Sequence, residues 1–160
     1  ENGQVIDESR DIMFWALGQN DPENWLAVWQ QNPASALAFL DRLDGAFKYD
    51  LDRYKYASRY DHDAGAVHRS SGAEFLAELD QDLQQTGALS GAQLGLLDFA
   101  SLPFVRQFRI ADPDWFDNQS WPHLHIWLGG FLDSAIFQLV MQKYPQWNAD
   151  RQSIAFPPLL

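Results

Sequence analysis

Apolar residues recur at helical spacing along most of this chain. Leu37, Leu40, Leu43, Phe47, Leu51 and Tyr54 follow a three-four rhythm and mark one face of a long helix over about 34–59. Asn32 before Pro33 offers that helix an N-cap with proline at its first position, and Gly45 gives it a place to bend. Phe75, Leu76, Leu79 and Leu83 predict a second amphipathic helix over about 66–86. Asp61-His62-Asp63-Ala64-Gly65 breaks the chain between the two. Ile12, Trp15 and Ala16, with Met13 beside them, predict a shorter helix over 10–17, with Gly18 as the residue that ends it and Asp7, Glu8 or Ser9 capping its start. Before it, Asn2-Gly3 has the chemistry of a hairpin turn, and Gln4-Val5-Ile6 reads as a short strand. Trp25, Leu26 and Trp29 predict a short helix laid on the main body, after the turn chemistry of Asn20-Asp21-Pro22. Two further helices are expected over 121–131 and 135–144, a loop over 112–118, and irregular chain from Pro145 onward.

The stretch from Leu94 to Ile110 differs from the others. Between Leu96 and Val105 only Asp98 and Ser101 want water, so it reads as a buried helix rather than a surface one. Gly95 is the expected N-cap. Asp98 then sits at the third helical position, where a carboxylate reaches back to the N-cap N–H in half of a capping box. Leu94 and Phe99 have the spacing of a hydrophobic staple. Pro103 lies two turns in, removes one backbone bond and is expected to kink the helix. The pattern as a whole predicts a small α/β edge, a linker, and an all-helical body of five or six helices around this central one.

Composition narrows the function. The 160 residues carry a net charge of −11, which argues against nucleic acid and against an anionic membrane surface. There is no cysteine, so disulfides, thiolate metal sites and a cysteine nucleophile are excluded within the chain. No apolar run approaches the length of a membrane span. The opening Glu1-Asn2-Gly3 is unlike a natural start and creates an expectation of further chain upstream. The histidines give no metal-ligand spacing. His123 and His125 are two apart, which does not put them on one helix face, and His62 stands alone between aspartates. Asp112-x-Asp114-x-x-Asp117 lacks the glycine and distal glutamate of a calcium loop. No metal is expected.

Two motifs, taken in order, point to a family. Val5-Ile6-Asp7-Glu8-Ser9 followed by an apolar helix resembles the last strand and third helix of the thioredoxin-like domain of cytosolic glutathione transferases. Gly95-x-x-Asp98 followed by Phe99-Ala100-x-Leu102-Pro103-Phe104 resembles the capping-box helix at the centre of their helical domain, with Gly95 where the family usually carries Ser or Thr. Ile12-Met13-x-Trp15-Ala16-Leu17 and Lys143-Tyr144-Pro145-x-Trp147 are similar to a bacterial branch of that superfamily. The resemblance implies a mainly α chain. Residues 1–18 would be the remnant of the thioredoxin-like domain, 19–33 a linker, and 34–160 the helical C-terminal domain. It also implies that the family's catalytic Tyr, Ser or Cys lies upstream of Glu1.

The same resemblance assigns roles. Glu8 and Ser9 would bind the γ-glutamyl end of glutathione: a carboxylate accepts from the ammonium, while a hydroxyl and free helix N–H groups donate to the carboxylate. Without the resemblance, the same pair reads as plain helix capping. Arg53, Tyr54, Arg106 and Phe108 would wall the pocket for an apolar co-substrate, although tyrosine packing and arginine salt bridges explain them too. Gly95 and Asp98 are structural. Glutathione is then a substrate, its thiolate presented to an apolar electrophile or a mixed disulfide. The intact protein would be a cytoplasmic homodimer, and this chain alone would be inactive. The alternative expectation is a non-catalytic interaction module of the same fold, with Trp25, Trp29, Trp115, Trp121 and Trp147 as exposed anchors.

Overall fold

A computed structural model describes residues 5–57, 65–146 and 148. Its elements are helices throughout: α1 (Ser9–Gln19), α2 (Ala27–Gln31), α3 (Pro33–Arg42), a π-helical turn (Leu43–Phe47), α4 (Lys48–Lys55), α5 (Gly65–Thr86), α6 (Leu96–Ala111), α7 (Pro113–Asp117), α8 (Pro122–Leu132) and α9 (Ala135–Val140). Among the described residues there is no strand. Val5 and Ile6 are irregular chain leading into α1, and Asn2, Gly3 and Gln4 lie outside the described residues.

The long helix expected over 34–59 is α3, the π turn and α4 in succession, ending at Lys55. Asn32 caps it, its side chain accepting from Ser35 N at 3.1 Å with Pro33 in the first turn. The bend expected at Gly45 takes the form of the π turn, which widens the helix there. Ala36, Leu40, Leu43, Phe47 and Leu51 are buried, whereas Leu37 is 40% exposed. Ala36 lies four residues before Leu40 and seven before Leu43, and it takes the inward place expected of Leu37. In α5 the four expected residues, Phe75, Leu76, Leu79 and Leu83, are all buried. Gly72 lets α5 approach α6: a Cβ there would stand 2.5 Å from Cε2 of Phe108.

Helix α6 occupies the centre. Leu96, Leu97, Asp98, Ala100, Ser101, Leu102, Val105 and Phe108 are all buried. The helix is not buried all round, because Phe99 and Phe104 are half-buried and Pro103 is exposed. The helix runs on through Pro103. The bond that proline removes therefore lies on the solvent side, where helices curving round a core already lengthen their hydrogen bonds. Phe108 is the centre of an aromatic cluster, stacked on Phe47 at 5.8 Å and near Tyr54 at 4.8 Å and Trp115 at 6.2 Å.

The start of α6 ties four segments together. The fully buried Asp98 carboxylate accepts from Leu89 N (2.8 Å), Ser90 N (2.9 Å), Gly95 N (3.0 Å) and the Trp127 indole N–H (2.9 Å), two donors on each oxygen. That satisfies the acceptor capacity of a carboxylate in full. Ser90 also supplies the hydroxyl that Gly95 lacks, its Oγ accepting from Leu97 N at 3.1 Å. Glycine is required at the cap because a Cβ would stand 2.9 Å from Ser90 Cβ and 3.1 Å from the Trp25 carbonyl. That carbonyl accepts from Leu96 N at 3.0 Å. The staple is made differently from the expectation: Leu94 is 44% exposed, and Trp25 stacks on Phe99 at 3.8 Å instead.

Elsewhere the pattern misled in two places. The loop expected over 112–118 contains the one-turn helix α7, capped by Asp112 accepting from Trp115 N at 3.1 Å. Helix α9 stops at Val140 rather than Tyr144.

Three outcomes follow for stability, all readable from urea midpoints. Asp98→Asn turns an acceptor into a donor facing buried N–H groups and should cost at least about 3 kcal/mol. Gly95→Ser and Ser90→Gly should each destabilise by about 1 kcal/mol or more, but the pair should lose less than the sum, since the new hydroxyl takes the space and the bond of the old one. Additive losses would show that the two positions do not share one cap. Ser101 is fully buried and its hydroxyl has no partner among the described residues. Ser101→Ala should therefore be neutral or stabilising by up to about 1 kcal/mol, and a clear loss would reveal a partner for that hydroxyl.

Candidate functional site

Glu8 and Ser9 stand at the N-terminus of α1 and both are exposed. Glu8 is the N-cap residue by backbone position, with φ −88° and ψ 132°, but its side chain makes no capping bond. Its carbonyl accepts from Ile12 N at 3.0 Å. The carboxylate is thus not consumed by the helix, and plain side-chain capping does not account for it.

The face that α1 turns inward is not the expected one. Met13, Phe14 and Leu17 pack against the core. Phe14 meets Trp29 edge-on at 4.7 Å, and Arg10 pairs with Asp41 at 2.6 Å. Ile12 and Trp15 are 44% and 56% exposed, and Ala16 is exposed beside them. Gly18 lies inside the helix, which ends at Gln19 with Asn20 as its C-cap. Both faces of α1 are apolar, so periodicity alone could not say which one meets the body.

The four residues expected to wall a co-substrate pocket do not converge. Phe108 is fully buried and belongs to the core. Arg106, two residues earlier on the same helix, points elsewhere and lies over the Phe137 ring at 5.5 Å. Arg53 stacks on Tyr49 at 3.4 Å. Tyr54 packs on Phe108, its hydroxyl buried and without a hydrogen-bond partner among the described residues. Burial holds the Tyr54 phenol above its ordinary pKa, Asp112 adds to that shift, and Arg69 opposes it. It therefore stays a neutral phenol at physiological pH.

The tryptophans expected as exposed anchors are packed inward. Trp25 lies on Phe99, Trp29 on Phe14, and Trp115 edge-on to Trp121 at 5.8 Å, while Trp121 is buried. Each sits at a junction between elements, where a large ring fills the gap that helix packing leaves. Trp147 lies outside the described residues. Among the described residues the tryptophan that does face solvent is Trp15, which the pattern had turned inward.

The aspartates at the end of α6 are occupied structurally. Asp112 caps α7, and Asp117 holds Arg109 through two bonds of 2.7 and 2.6 Å. That arginine keeps the Asp117 carboxyl below the ordinary aspartate range. Among the described residues no group of three His, Asp or Glu side chains is arranged to hold a metal ion, and no helix is long and apolar enough to cross a membrane.

One hollow of about 210 Å³ adjoins the α6 N-terminus, between the segment bearing Glu23, Trp25 and Gln31 and the segment bearing Ser90 and Gln93. Neither Glu8 nor Ser9 lines it. A second, of about 320 Å³, lies between α7 and α8 at the far end of α6. Compared with protein-family models, with characterised proteins and with solved structures, the chain matches none.

Proposed function

We propose that this chain is the helical body and adjoining edge of a glutathione transferase-like protein. In this reading Glu8 and Ser9 grip the γ-glutamyl end of glutathione, and the thiol is supplied as a thiolate to an apolar electrophile or a mixed disulfide. The observation that carries the reading is α1 itself. Its Met13, Phe14 and Leu17 are already packed, yet Ile12 and Trp15 present a second apolar face to solvent. A helix apolar on two sides suits a place between two layers, with the helical body on one side and an α/β layer on the other. The uncapped Glu8 carboxylate and the Ser9 hydroxyl then open at the edge of that junction, where concave sites commonly form.

The chemistry asked of the site is modest. An ammonium meets the Glu8 carboxylate, and a carboxylate meets the Ser9 hydroxyl and the first N–H groups of α1, whose dipole favours an anion. The activated sulfur forms a bond to carbon and expels a leaving group, or attacks a disulfide sulfur and releases the other thiolate. No co-substrate wall is assigned to Arg53, Tyr54, Arg106 and Phe108, which do not converge on one pocket. The group that lowers the thiol pKa is not assigned to any residue of this chain.

The test compares two proteins. The 160-residue chain alone should not conjugate glutathione to chlorodinitrobenzene. The product of the full reading frame should be retained on immobilised glutathione and released by free glutathione. In that product Glu8→Ala should weaken glutathione binding about tenfold, as expected for losing one hydrogen bond to a charged group. Turnover by the chain alone, or no retention of the full product, would overturn the proposal.

A further inference from the structure

Helices α4 and α5 pack side by side, and a polar cluster crosses between them. His68 Nδ1 and Asp50 Oδ1 are 2.7 Å apart, and the Ser71 hydroxyl donates to Asp50 Oδ2 at 2.7 Å. His68 and Ser71 are three residues apart on α5, so they share one side of that helix. The side chains of Asp50 and His68 are 14% and 20% exposed, which shelters the pair from water without closing it off.

The arrangement fixes the state of the imidazole. A carboxylate only accepts, so Nδ1 carries the hydrogen and donates it to Asp50. In the neutral ring Nε2 is then a bare lone pair, and it has no hydrogen-bond partner among the described residues. One Asp50 oxygen sets the tautomer, and Ser71 anchors the other. Joining two helices uses only the Nδ1 side of the ring; the Nε2 lone pair is capacity beyond that. Tyr49 is 51% exposed and stands edge-on to the imidazole, with ring centroids 5.6 Å apart, so it offers an accessible aromatic surface beside the ring. Arg53 lies over the Tyr49 ring at 3.4 Å and brings a cation to this corner of an otherwise acidic chain.

We propose that His68 is a nucleophile toward activated aryl esters, with Asp50 as its positioning residue. The Nε2 lone pair attacks the ester carbonyl carbon; the N–C bond forms, the C–O bond to the aryl group breaks, and the aryloxide leaves. The ring becomes an acylimidazolium that keeps its Nδ1 hydrogen, and the Asp50 carboxylate faces the new positive charge. Water then adds to the acyl carbon, the N–C pair returns to Nε2, a carboxylate departs and both water protons pass to solvent. The site uses neither Glu8 nor Ser9 and needs no glutathione, so it stands or falls apart from the glutathione reading.

The experiment follows nitrophenolate release from p-nitrophenyl acetate by the 160-residue chain without glutathione, together with imidazole nitrogen-15 NMR. The chain should be at least about tenfold faster than N-acetylhistidine amide at equal concentration, a modest share of what a positioned catalytic side chain can contribute. His68→Gln should remove that excess, and His125→Gln should leave it unchanged. Asp50→Asn should lower the rate about tenfold, as for the loss of an outer partner that orients a histidine. In the NMR spectrum neutral His68 should carry its hydrogen on Nδ1, a preference that Asp50→Asn should weaken. A chain no faster than the free analogue would overturn the proposal, and so would a neutral His68 with its hydrogen on Nε2; neither measurement depends on a variant folding. A rate untouched by His68→Gln, the outcome for a plain link between helices, would overturn it as well.

Discussion

A single carboxylate with no access to water holds this fold in register. Burying an ionised group costs several kcal/mol even after relaxation. Asp98 offsets that cost by accepting four hydrogen bonds, two per oxygen. Bonds to a charged partner contribute about 1.5–3 kcal/mol each, so the full set offsets the penalty, and each donor lost removes part of that compensation. The donors come from different places: the turn after α5, the cap of α6 itself, and the indole of Trp127 on α8. Unless α5, α6 and α8 stand in their native relation, some of those donors are missing and the charge becomes a liability. The interaction thereby acts as a check on tertiary structure more than as a local cap.

The glycine at the cap follows from the same arrangement. A serine at position 95 would bring its own hydroxyl, but the space is filled by Ser90 and by the Trp25 carbonyl. The cap is split: Asp98 takes the N–H of Gly95, Ser90 takes that of Leu97, and Trp25 takes that of Leu96. Two neighbouring segments are in this way bonded directly to the helix end, which a self-contained capping box would have left free. The glycine at position 95 thus marks a cap shared among three segments.

Where burial was one-sided, hydrophobic spacing located the elements well. Phe75, Leu76, Leu79 and Leu83 of α5 were legible because one stripe was apolar and the rest was not, and the start of α6 at Leu96 was legible from its Gly95 and Asp98 cap. Legibility failed where that contrast was missing. In α1 both faces are apolar, so the pattern put Ile12 and Trp15 inward and left out Phe14 and Leu17. Leu37 lost its place to Ala36, whose small side chain carries little weight in any hydrophobic count. Helix α7 has five residues, too few to show a period, and only its Asp112-Pro113 cap announced it. The residues expected to face a ligand were harder still. Aromatic and cationic types on α4 and α6 are what a pocket needs, but they are also what a core and its rim need. Only the helical phase separates Phe108, inside, from Arg106, over Phe137.

The corner formed by Glu8 and Ser9 is far along the chain from Asp98, yet its position depends on it. Leu96 N bonds the Trp25 carbonyl, and the Trp25 ring lies on Phe99 one turn into α6. Asp21 accepts from the N–H groups of Trp25 and Leu26, at 2.8 and 2.9 Å, which fixes the chain entering α2. Trp29 of α2 then meets Phe14 of α1 edge-on. A second route runs through the Arg10–Asp41 pair to α3, but both partners are largely exposed, and such pairs contribute little on their own. The first route is built of part-buried hydrogen bonds, one stacked ring pair and one edge-on pair, which hold geometry better than a solvated ion pair. A change at the α6 cap should therefore reach the α1 corner through Trp25 and Trp29, even where the helix itself survives.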